Sequence, residues 1–128
     1  MHLGLLLRIA SVYTAVAGLA FMLAPQAFGT GAVPPDASDA LIAHLRLFGG
    51  PFLGIAVLDW MARDAGPSPA RNAIIAGNAV GFAAVAAMDL WAQVSGGREV
   101  TKVFAVVHLL FAAGFIWAGR KGWSARAS

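Results

Sequence analysis

The chain has 128 residues, 59% of them hydrophobic and only 12% charged, a balance that would leave a water-soluble domain of this size with large exposed apolar patches, so the expected class is membrane. The absence of cysteine excludes disulfides, thiolate metal sites and cysteine nucleophiles. The net charge of +3 comes from basic residues spread over predicted loops and helix ends, which argues for topology signals and against a nucleic-acid partner.

The first apolar run, residues 3–24, reads as a membrane span and not as a signal peptide, because Met1-His2 supplies no basic leader and Arg8 interrupts the apolar stretch. Leu23-Ala24-Pro25 ends it, since proline cannot continue the backbone ladder and pushes the preceding residue away from helical geometry. Residues 26–38 contain Gly29, Gly31, Pro34, Pro35 and Asp36 without a Lys or Arg, a polar connector expected on the extracytoplasmic side. A second span, 39–62, starts at Ser38 or Asp39, either of which can cap it. Its segment HLRLFGGPFLGIAVLDW places His44, Arg46 and Asp59 among apolar residues. Each such group costs roughly 2.5 to 3.5 kcal/mol in lipid unless it faces the bundle interior and finds a partner. Gly49, Gly50 and Gly54 lie between them, and Gly50 with Gly54 has the small-xxx-small spacing that lets a neighbouring helix come close.

Arg63 to Arg71 is a short, breaker-rich hairpin loop, so spans two and three are antiparallel neighbours. The third span, 72–94, holds a second small-xxx-small unit at Gly77 and Gly81 and stops at Ser95-Gly96-Gly97. The fourth, 99–119, precedes a basic tail with Arg120, Lys121, Trp123 and Arg126. The expected fold is all-α: a single domain, 1–128, forming a four-helix transmembrane bundle, each span of roughly 20 residues matching a hydrocarbon core of about 30 Å. Arg63, Arg71, Arg120, Lys121 and Arg126 fall on one side, which makes both the N and C termini cytoplasmic, with Trp60 and Trp117 at the inner interface and Trp91 at the outer one.

The buried polar residues sort by depth into an inner layer, Arg8 and Asp59, and an outer layer, His44, Arg46, Asp89 and His108, with Asn78 nearer the middle. Sign and depth suggest two structural ion pairs, Arg8 with Asp59 and Arg46 with Asp89. Helical spacing puts Asn78, Phe82, Val85 and Asp89 on one stripe of span three, and Thr101, His108, Ala112 and Phe115 on one stripe of span four. His44 and Arg46 are about 200° apart, so one of them faces a subunit partner, and a homo-oligomer is expected. Two readings stay open. In one, these groups are structural and the protein is an accessory or structural bundle. In the other, His44, Asn78, Phe82, Asp89, His108 and Phe115 line an outer-side pocket for a small lipophilic ligand. Two histidines on different spans also suit axial ligation of a haem or other transition metal. No phosphate-cradling loop and no nucleophile elbow is present, so no catalytic residue is assigned.

The order of Arg8, the Leu23-Ala24-Pro25 stop and the RLFGGPFLG core of span two resembles small uncharacterised bacterial four-span inner-membrane proteins, which implies a multi-pass protein of the bacterial inner membrane. His44 ahead of Gly50-Pro51, and Asn78-Ala-Val-Gly-Phe82 in span three, also resemble styrene oxide isomerases. Those are four-span enzymes that bind haem b between the subunits of a trimer and open epoxides to carbonyl compounds. That likeness implies haem b with His44 as a ligand, and a site lined in part by the Asn78–Phe82 segment. The chain departs from the family pattern in the longer gap between His44 and Gly50-Pro51, in one extra residue in the Asn78 segment, and in Ala83 where the family has tyrosine.

Overall fold

Two serines set the start of the two middle helices. In the computed structural model, which describes residues 2–96 and 98–124 with side chains as far as 120, Ser38 Oγ accepts from the Leu41 N–H at 3.3 Å and Ser68 Oγ from the Arg71 N–H at 3.2 Å. Each satisfies a backbone donor that the first helical turn leaves orphaned. The helices are α1 (Leu3–Leu23), a single turn α2 (Pro25–Phe28), α3 (Asp39–Ala62), α4 (Pro69–Val94) and α5 (Val100–Ser124). The four long ones are long and apolar enough to cross a membrane, and the described residues contain no strand.

Three boundaries differ from the sequence expectation, each for a local reason. Proline at the first helical position gives up only an N–H that has no partner there, so Pro25 stops α1 and also starts α2, and Pro69 opens α4 ahead of the expected start at 72. Gly119 is buried inside α5 and does not end it. Gly96 takes a left-handed φ of +83° after Ser95 caps α4, as expected of a glycine stop. Gly97 and Arg126, used in the predicted stop and basic tail, lie outside the described residues.

The chain divides into two compact units, Leu7–Arg63 and Met1–Leu6 with Asp64–Ser128. In the first, α1 and α3 meet through glycine. A Cβ on Gly49 would stand 2.2 Å from Met22 Cγ and 2.5 Å from the Gly18 carbonyl oxygen, so the two backbones touch where only hydrogen fits. One helical stretch away, Ser11 Oγ donates to the Ala56 carbonyl at 2.7 Å. Both contacts obey one antiparallel register, and three residues further along it Arg8 comes level with Asp59. Phe21 stacks on Phe52 (5.8 Å, 22°) and meets Phe28 edge-on (4.9 Å), closing the end where α2 packs on α3. At the other end of α3 the Arg63 guanidinium lies 4.3 Å over the Trp60 ring and donates to the Trp60 carbonyl.

Not every glycine is used this way. Gly50, Gly54, Gly77 and Gly81, which make up the two small-xxx-small units, have nothing among the described residues within 4 Å of an added Cβ.

Candidate functional site

In the second unit α4 and α5 pack along most of their length as a hairpin. Helical spacing accounts for the contact: Ile75, Asn78, Ala79, Phe82 and Ala86 form the buried stripe of α4, and Ala105, His108, Phe111, Ala112 and Phe115 that of α5. Small alanines alternate with rings, and the rings interleave. Phe82 stacks on Phe111 (centroids 4.5 Å apart, 18°) and lies nearly parallel to Phe115 (6.0 Å, 6°).

At one end of this stack His108 Nδ1 stands 2.6 Å from Asp89 Oδ2. The side chains are only 10% and 17% exposed, so the contact is a largely desolvated one in which the ring N–H donates to the carboxylate. The imidazole has two aromatic neighbours, Phe82 (6.0 Å, 30°) and Phe104 (6.2 Å, 18°). A carboxylate on Nδ1 fixes the ring orientation and leaves Nε2 as the nitrogen that a proton or a metal would use. Asn78 turns its amide back onto its own helix, donating from Nδ2 to the Ile74 carbonyl at 3.0 Å.

No family model matches the chain, and searches of the curated proteins and of the solved structures find no match.

The structure brings together five of the six residues expected to line a pocket. Asn78, Phe82 and Asp89 lie on α4, and His108 and Phe115 on α5; of these only Asp89 is part-exposed, while Val85, placed on the same stripe by spacing, is 39% exposed. His44 belongs to the other unit. Its side chain is exposed and meets Phe48 edge-on at 5.5 Å. Arg46, the expected partner of Asp89, is likewise an exposed residue of α3; the partner Asp89 has is His108. Among the described residues no three His, Asp or Glu side chains gather as a metal site.

A second buried polar layer belongs to α1 and α3. Asp59 is fully buried, and Ser11 and Thr14 are 6% and 2% exposed. The Thr14 hydroxyl donates within its own helix, to the carbonyls of Ala10 and Ser11. Sequence reasoning missed these hydroxyls and Phe104. The signal for Phe104 was present, because it sits one turn before His108 and so shares its face. Ser11 and Thr14 gave a weaker one, being small polar residues three apart in an apolar run.

Proposed function

We propose that this chain is a four-span integral membrane protein of the bacterial inner membrane with both termini in the cytoplasm, acting as an accessory or structural component whose buried polar groups hold its helices in register. The observation that carries the reading is what the helices leave outside. Val16, Leu47, Val80 and Leu110, one from each long helix, are 61%, 71%, 71% and 67% exposed, and they belong to apolar faces that water would not tolerate but acyl chains would. The orientation rests on the basic residues. Arg63 and Arg71 border the α3–α4 loop, Arg120 ends the last apolar span, and the α1–α3 connector has no Lys or Arg, so the loop and the tail stay inside.

The structural role rests on how the polar groups are used. Asp89 and His108 satisfy each other, Asn78 bonds its own helix, and Ser11 of α1 donates to the Ala56 carbonyl of α3. Charge compensation of this kind lets ionisable groups persist at membrane depth. Two measurements test the reading. Reporter fusions after Gly31 and after Ser128 should report periplasm and cytoplasm respectively. The purified protein should show no Soret absorbance. A Soret band that disappears in His108→Ala while the folded yield holds would overturn the structural role in favour of a haem-binding one.

A further inference from the structure

We infer that the outward face of α3 is the contact surface for a second copy of this chain, in a parallel two-fold dimer; the inference rests on the membrane reading above. Of the four long helices α3 is the least covered, with 11% of its most apolar window buried against 28% to 39% in the others. Its buried side is occupied by Gly49, Ala56, Asp59 and Ala62. The opposite side carries Leu47, Gly50, Gly54, Val57 and Met61 at helical spacing, all exposed.

Two polar groups flank that face, and each lacks what the other offers. Pro51 sits inside the helix and has no N–H to give to the Leu47 carbonyl four residues back, so this acceptor is left open on the flank where Pro51 lies. Arg46 is an exposed guanidinium with no ion-pair partner among the described residues, about 10 Å into a helix that lies in the bilayer. Five residues separate Arg46 from Pro51, which puts them about 140° apart around the axis, with Gly50 and Gly54 between. Within one chain the donor and the acceptor therefore face away from each other.

A two-fold axis through the glycine face changes this. It sets the Arg46 flank of each copy against the Pro51 flank of the other, so that each guanidinium can donate to the partner copy's open carbonyl, twice over, as an isologous interface requires. Prolines inside membrane helices persist where a neighbouring helix satisfies the freed backbone group. Gly50 and Gly54 let the two axes come close enough for that contact. Among the described residues nothing stands within 4 Å of a Cβ at either position.

The chain has no cysteine, so a single introduced one reports on the contact in native membranes. Leu47→Cys and Gly54→Cys should cross-link to dimers on mild oxidation, while Val16→Cys and Val80→Cys, exposed on other helices, should not. Pro51→Ala supplies the missing N–H within the helix; it should raise helix stability yet lower the dimer fraction in liposomes by about tenfold, and Arg46→Met should lower it as much. Gly54→Ile should keep the fold, since its Cβ meets nothing, and lose the dimer. Single photobleaching steps from the parent protein in liposomes, equal cross-linking at the control positions, or a dimer fraction unmoved by Pro51→Ala would each overturn the interface. Failure of the membrane reading shows itself differently, as protein absent from carbonate-washed membranes.

Discussion

The two units solve the same problem, holding two apolar helices together, with opposite materials. Between α1 and α3 the contact is made by absence: hydrogen in place of a side chain at Gly18 and Gly49, and a hydroxyl donating to a carbonyl at Ser11 and Ala56. Between α4 and α5 it is made by bulk, with Phe82, Phe111 and Phe115 stacked and a largely desolvated Asp89–His108 contact at one end of the stack. The first arrangement brings backbones close and depends on one or two positions admitting nothing larger. The second spreads its energy over rings, each of which leaves a cavity when removed. Packing by glycine should therefore fail on enlargement and packing by rings on truncation.

Substitutions can break this contrast, beginning with the largest effect. Phe82→Ala removes a ring that meets those of Phe111, Phe115 and His108 and should cost about 3 to 5 kcal/mol, read as a shift in the midpoint of SDS unfolding followed by circular dichroism. Gly49→Leu should cost about 3 kcal/mol, since its first added carbon already collides with Met22 and the Gly18 backbone. The same enlargement at the adjacent Gly50 should leave the unfolding midpoint of the monomer in detergent unchanged. Equal losses at both would show that α3 is oriented otherwise.

Asp89→Asn and His108→Ala should each cost about 2 kcal/mol, below the range for fully buried pairs because some exposure remains. The double variant should lose less than the sum of the two, and additive losses would mean that the pair does not couple. The smallest effect is expected for Ser11→Ala, about 1 kcal/mol for one hydrogen bond, and it should move the α1–α3 unit alone in hydrogen exchange.

The positions of the four long helices were legible in the sequence, because apolar runs, serine caps and prolines act locally and do not depend on what the helix later touches. The site was legible by halves. Helical spacing put Asp89 with Phe82 and Asn78, and His108 with Phe115, but spacing describes one helix at a time, and depth with opposite sign pointed Asp89 to Arg46. The pairing with His108 needed the register of α4 on α5, which the connector fixes and no residue announces. Gly49 and Gly50 show the same limit. They are identical neighbours in the sequence, yet a 100° turn of the helix sends one against a backbone and the other outward.

The connector between α4 and α5 also bears on the order of events as the chain is made. Only residues 95–99 separate these two helices, whereas residues 24–38 separate α1 from α3. Closing the shorter loop costs about 1 kcal/mol less in chain entropy, and Gly96 already turns it. The ring-packed hairpin can therefore form from its own sequence as soon as α5 emerges. The glycine contact, whose helices emerge earlier, needs a longer connector to deliver α3 to α1 in one particular register. A defect at Gly18 or Gly49 would thus leave a finished hairpin joined to an unfinished pair, a half-assembled product with its apolar helices loose and open to quality-control proteases.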